Sequence, residues 1–213
     1  MNFNKIDVQT WNRKNSYNQF LVDTPCTYSM TVNLDATNLI KTINLHQLKF
    51  FATILYGISH TINRHSKFRM DFDEEGNVGF YDVSNPCYAV FHEQTDTFTN
   101  VWTEYDEDFN VFIKNYNNDI QKYQNDSKNS KPIFDKNIFM VSCIPWVSFT
   151  GFNLNLQKGY CYLSPIITIG KHFPMNDKMF LPLAIQMHHA VCDGYHIAKF
   201  INDLQKWVNT FEV

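Results

Sequence analysis

Apolar and polar positions along the chain fall into two rhythms. From Cys26 to Leu34 β-forming residues alternate with polar ones, the period-two pattern of a strand. Leu48, Phe51, Leu55, Ile58 and Ile62 recur at steps of three and four, which predicts one apolar face on a helix of about four turns. Phe68 to Asp82 reads as a hairpin turning at Glu75-Gly76-Asn77, with two further short strands at Tyr88–His92 and Phe98–Thr103. Phe109, Phe112, Ile113, Tyr116, Ile120 and Tyr123 mark a second amphipathic helix, opened by acids that suit its positive end. The polar stretch 124–132 reads as a loop within one domain. Ile138 to Ile144, Tyr162 to Ile169 and Leu181 to Met187 are nearly continuous apolar runs, as strands buried on both faces are. A final helix starts near Asp193 and keeps Ile197, Phe200, Ile201, Leu204 and Val208 on one face. These elements predict an α/β or α+β fold: one large mixed sheet covered by helices, in a single domain over residues 1–213.

Composition narrows the class without changing the elements. The 213 residues are 44% hydrophobic and 18% charged, with 7 Gly and 7 Pro, which excludes a disordered or fibrous chain. Nineteen Phe, 11 Tyr and 4 Trp are enough to fill a core and still line a pocket or an interface with rings. A net charge of −3 without a basic patch argues against nucleic acid as partner. No run approaches the ~20 apolar residues of a membrane span, and the first residues carry no apolar signal segment. Five cysteines (Cys26, Cys87, Cys143, Cys161, Cys192) without CxxC spacing predict reduced thiols and a cytoplasmic location.

The chemistry concentrates in Gln186-Met-His188-His189-Ala-Val-Cys192-Asp193-Gly194-Tyr-His196, where a buried strand ends at two histidines and a helix begins. A strand fixes a side chain while the following turn leaves it accessible. Plainer readings stand beside this one. Either histidine serves equally as a packed structural residue, and Asp193 as a helix cap. His188, His189, Asp193 and His196 also have spacing compatible with a metal site, although adjacent strand residues point to opposite faces.

The string His-His-Ala-Val-Cys-Asp-Gly resembles the signature of the chloramphenicol acetyltransferase family, whose fold is shared with dihydrolipoyl acyltransferases and peptide-synthetase condensation domains. Trp11-Asn-Arg13, Thr24-Pro25-Cys26-Thr-Tyr28, Ser142-Cys-Ile-Pro145-Trp146, Phe152-Asn-Leu-Asn155 and Pro165-Ile-Ile-Thr168 resemble further elements of that family, in its order, from Trp11 to Trp207. The resemblance implies transfer of an acetyl group from acetyl-CoA, the co-substrate, to a hydroxyl of chloramphenicol, giving resistance to the antibiotic, with no metal. It implies a homotrimer with active sites between subunits. A chain with one HxxxDG turn, half the length of relatives that enclose a tunnel by themselves, must complete its site by oligomerising.

The same resemblance assigns roles. His189 is the general base, taking the acceptor's proton at Nε2 during direct attack on the thioester. Ser142 donates to the oxyanion, and Thr168 acts there through water. Asp193 is paired with Arg13 rather than with the histidine, and Gly194 serves backbone geometry and close packing. Phe20, Thr24, Cys26, Tyr28, Phe98, Leu154 and Ile166 line the acceptor pocket. Phe20 replaces a tyrosine of some relatives, and His172 replaces an aromatic residue that often stacks on the coenzyme's adenine. The expected division sets His189 on one subunit and Phe20, Cys26, Tyr28 and Ser142 on its neighbour. Two rivals remain: another small hydroxylated acceptor, or a non-catalytic trimer that sequesters an aromatic ligand.

Overall fold

The computed structural model describes residues 2–133, 137–156 and 162–213; Cys161 lies outside them. Strand β1 (Phe3–Lys5) leads to a short helix, α1 (Lys14–Asn18), which runs into a π-helical turn over Gln19–Asp23. There follow β2 (Thr27–Asp35), α2 (Thr37–Leu45), α3 (Phe50–Asn63), β3 (Met70–Phe72), β4 (Val78–Tyr81), β5 (Asn85–His92), β6 (Thr97–Trp102) and α4 (Phe109–Tyr123). The C-terminal part holds β7 (Ile138–Ile144), β8 (Ile166–Gly170), β9 (Phe173–Met175), β10 (Lys178–His188) and α5 (Gly194–Thr210).

Among the described residues, seven strands form a mixed sheet in the order β2-β10-β8-β7-β5-β6, with β9 also on β10. Only β5–β7 and β7–β8 run parallel. A separate small sheet has the order β1-β4-β3. Its β3–β4 turn needs Gly76, whose φ of 82° favours glycine.

Helices α2, α3, α4 and α5 pack against the large sheet. Alternation along the strands divides its two faces. Phe139 and Val141 of β7, and Ile167 and Ile169 of β8, join the helices in the core. Ile138, Met140 and Ser142 of β7, with Ile166 of β8, instead line an open cavity. The apolar runs are therefore not those of strands covered by helices on both sides: the second face is apolar because it walls a cavity. The run from Tyr162 is likewise only partly a strand, since β8 begins at Ile166. Leu163 and Ser164 are buried without joining the ladder.

Candidate active site

Long strand β10 delivers the histidine turn. Its register against β2 sets His188 opposite Thr27, and the next residue's N–H, that of His189, donates to Cys26 O at 3.0 Å. Val191 N and Cys192 N both donate to His188 O, which closes the turn before α5. Tyr28 Oη donates to Cys192 O at 3.1 Å from the β2 side. The two histidines then part. His188 is fully buried, its Nδ1 accepting from Ala190 N at 3.1 Å. The His189 side chain is 31% exposed.

Two rings of the same chain fix the His189 imidazole. Phe20 stacks on it at 3.9 Å between centroids and 17° between planes, and Tyr28 lies 5.0 Å away at a tilt. Phe20 arrives through the π-helical turn, a local irregularity often found at functional sites. Phe20 and Tyr28 thus stand beside the histidine of their own chain, which differs from the expected division for these two residues. Nδ1 of His189 is buried 3.3 Å from Asp193 Oδ1, without hydrogen-bond geometry. That leaves Nε2 as the outward-facing nitrogen.

The Asp193 carboxylate has a closer partner. Arg13 donates to it through both terminal nitrogens, Nη2 reaching Oδ1 at 2.9 Å and Nη1 pairing with Oδ2. Nη2 also donates to His189 O and Ala190 O, at 3.3 and 3.4 Å, so one guanidinium ties the carboxylate to the histidine's own backbone. These bonds hold Asp193 below its ordinary carboxyl pKa and raise that of Arg13. Beside them, Lys67 lies 4.8 Å from the Trp11 ring centroid, its pKa lowered by burial and then by Arg13.

His196 Nδ1 accepts from Asp193 N at 3.0 Å, closing the start of α5. Burial, then the Arg13 charge, lowers the His196 pKa. His188 and His196 thus spend Nδ1 on backbone N–H groups, and among the described residues no group of three or more His, Cys, Asp or Glu could hold a metal ion. Gly194 differs from expectation. A Cβ there would meet no atom of its own chain within 4 Å, and its φ lies outside the glycine region, so neither packing within the chain nor backbone geometry requires glycine.

A cavity of about 700 Å³ opens on the helix-free face of the sheet, walled by Ser142, Leu154 and Ile166 among others. Ala89, Asn100, Ile133 and Met140 also line it and are absent from the sequence reading. Their signal is faint: Ala89, Asn100 and Met140 are ordinary residues on one side of their strands, and Ile133 belongs to none. Asp71 and Tyr162 line it too. Thr168, two residues on from Ile166, faces a narrower space with Leu154 and Ala184. Phe98 lies on edge strand β6, 53% exposed and 5.0 Å from the Phe91 ring, outside that lining. Thr24 closes the π-helical turn through its N–H to Gln19 O, and burial raises the Cys26 thiol pKa. His172 is exposed, near the Phe50 ring.

The expected residues thus form two groups. Ser142 pairs in register with Thr168, and Thr168 with Ala184 of β10, five residues before His189. At about 3.3 Å per residue and about 4.8 Å per strand, Ser142 is displaced from the histidine by roughly 16 Å along the strands and 10 Å across them. Within one chain the two do not meet at one substrate atom.

A family model described as chloramphenicol acetyltransferase matches residues 1–205. Among curated proteins, a "Chloramphenicol acetyltransferase" of Clostridium perfringens is 48% identical over 99% of this chain and 100% of its own. One of Campylobacter coli is 47% identical over 98% of this chain and 100% of its own. A solved "chloramphenicol acetyltransferase" superposes with a TM-score of 0.87 at 20% identity, covering 97% of this chain and 100% of the other. A probable dihydrolipoamide acetyltransferase from Listeria monocytogenes has the same fold at a TM-score of 0.66 and 13% identity, over 90% and 88% of the two chains.

Proposed function

This chain belongs to the chloramphenicol acetyltransferase family, and we propose that it moves the acetyl group of acetyl-CoA to a hydroxyl of chloramphenicol, conferring resistance. The observation that carries the reading is the stacked His189 imidazole, held by Phe20 and Tyr28 with Nε2 turned outward. An alcohol must lose its proton as it attacks, and a largely neutral imidazole near pH 7 is suited to receive it. With Nε2 as acceptor, the ring's proton belongs on Nδ1, where the negative field of Asp193 Oδ1 favours it.

The hydroxyl oxygen attacks the thioester carbonyl while its proton passes to His189 Nε2. The carbonyl electrons move onto oxygen, and the Ser142 hydroxyl donates to that oxyanion, with Thr168 assisting through water. Collapse expels the coenzyme thiolate, which recovers the proton from His189. No acetyl-enzyme forms. Asp193 and Arg13 keep the turn in place without touching substrate.

The separation of Ser142 from His189 supports a site shared between copies, with the histidine of one subunit facing the Ser142 cavity of the next. A homotrimer closes three such sites in a ring. In this reading residues 1–213 are one domain, Leu154 and Ile166 contact the acceptor, and Phe20, Thr24, Cys26 and Tyr28 frame the histidine side of the same site. Phe98 borders the acceptor from the rim, and His172 borders the coenzyme. The unpaired thiols Cys26, Cys87, Cys143 and Cys192 suit a reducing, cytoplasmic setting. Among the described residues no helix is long and apolar enough to cross a membrane.

A thiol-release assay with acetyl-CoA and chloramphenicol tests the proposal: release must depend on both substrates. Asn100 in the cavity lining favours, as a second reading, a hydroxylated acceptor richer in hydrogen-bonding groups. Faster release with such acceptors than with chloramphenicol would select it. Binding without release would leave a sequestering protein.

A further inference from the structure

Strand β10 contains one polar side chain where the apolar run leads one to expect none. Gln186 lies between Ser29 of β2 and Ile166 of β8, only 6% exposed, on the helix-free face. A buried amide is costly unless both of its ends are satisfied. Here both are satisfied by one residue that belongs to no strand, and Ser29 Oγ adds a longer bond to Oε1 at 3.4 Å. Leu154 N donates to Gln186 Oε1 at 2.8 Å, and Gln186 Nε2 donates to Leu154 O at 2.9 Å. The side-chain amide thus acts as a one-residue β-partner. A lone bond would allow the segment to pivot, whereas two opposed bonds fix both its height above the sheet and its direction. Phe152 N, donating to Thr31 Oγ1 at 3.3 Å, adds a weaker anchor two residues earlier.

Leu154 walls the 700 Å³ cavity together with Ser142 and Ile166. We infer that Gln186 is a positioning residue for the acceptor, acting through the Leu154 backbone to set one wall of the cavity; this rests on the acceptor site proposed above. Gln186 does not line that cavity itself, although it borders the narrower space beside it with Thr168, so its effect on the wall passes through Leu154.

Gln186→Met keeps the side chain's bulk and removes both bonds to Leu154, with the longer one from Ser29. The Leu154 amide should then exchange with deuterium faster than in the wild type. The acceptor KM should rise about tenfold, with kcat changed less than about twofold and the acetyl-CoA KM unchanged. In a Leu154→Ala background, where the wall is already gone, Gln186→Met should add nothing to the acceptor KM. Should Gln186→Met fail to fold, Gln186→Glu supplies the test. Its ionised form presents an oxygen to Leu154 O, while its protonated form restores a donor, so the acceptor KM should recover as pH falls. Unchanged exchange at Leu154, additive effects with Leu154→Ala, or both KM values rising together would overturn the inference. A wild type that does not acetylate chloramphenicol overturns the acceptor assignment instead, and the exchange measurement still decides whether Gln186 holds the segment.

Discussion

At the scale of single residues, the adjacent histidines divide between chemistry and stability. His189→Ala removes the proposed base and should lower turnover by roughly 10²–10⁴, with melting little changed. His188 faces away from that chemistry, but it is wholly buried and accepts from Ala190 N. Orientation alone therefore understates the effect of His188→Ala, which should cost about 1–3 kcal/mol of stability while sparing most activity per folded molecule. Turnover and melting curves on both variants check the division; equal loss of activity with equal melting would remove His189 from its role. Asp193 and Arg13 act on stability and activity together. Asp193, 37% exposed, is partly screened by water, so breaking the pair should cost less than the ~3–5 kcal/mol of a fully buried one. Its folded pKa is depressed, so its contribution is complete above the unfolded carboxyl pKa near 3.9 and is lost as pH falls through the folded value. Asp193→Asn should therefore flatten the acid limb of the stability–pH curve, below about pH 5. The double change Arg13→Val with Asp193→Asn should be milder than the two singles summed. An unaltered acid limb or strict additivity in denaturant melts would mean that the pair is not coupled.

Legibility was uneven among the elements, and the differences have physical causes. Helix α4 follows its apolar period from Phe109 to Tyr123, and Asp108 caps it by accepting from Asn110 N and Val111 N. The hairpin was equally legible, because Gly76 is needed where φ turns positive. Strand β1 is too short for periodicity to reveal, and α2 hides its Leu39 and Ile43 face in two polar turns. The π-helical turn carrying Phe20 has no period-based signal, so its stack on His189 was invisible although the histidine motif was plain. The cavity wall was hidden for another reason: Ala89, Asn100 and Met140 come together only through the β5-β6 and β5-β7 pairings. Between helices, Gly57 makes a testable contact. A Cβ on this α3 residue would overlap the Trp207 ring of α5. Alanine normally gains about 1 kcal/mol over glycine in a helix, but overpacking costs about 1–3 kcal/mol and should win here. Gly57→Ala should lower the denaturation midpoint, and adding Trp207→Leu should recover part of the loss; a stabilised Gly57→Ala would show that α5 yields.

At the scale of the molecule, the division of the site decides how copies must meet. Arg13, Phe20, Tyr28, Asp193 and His189 form one group within a chain, while Ser142, Leu154 and Ile166 wall a cavity displaced from it along the sheet. If the histidine of each subunit serves its neighbour's cavity, two inactive chains can complement each other. The proper pair is His189→Ala with a chain blocked in the cavity, for example Ile166→Trp. A block beside Cys26 or Phe20 would disturb the histidine of its own chain, and is therefore unsuitable. In trimers co-folded from equal amounts, a site is whole when an intact histidine from the blocked chain faces an intact cavity from the His189→Ala chain. Random assembly around a ring makes this about one site in four. That average includes trimers of a single type; a trimer that contains both chains has about one whole site in three, so mixed trimers should recover about a third of the wild-type rate per site, against almost none in either parent. Acetyl transfer measured on trimers proven to be mixed tests this directly. A rate no higher than that of the parents would confine each site to one chain, and the displacement along the sheet would then have to be closed by movement within the subunit.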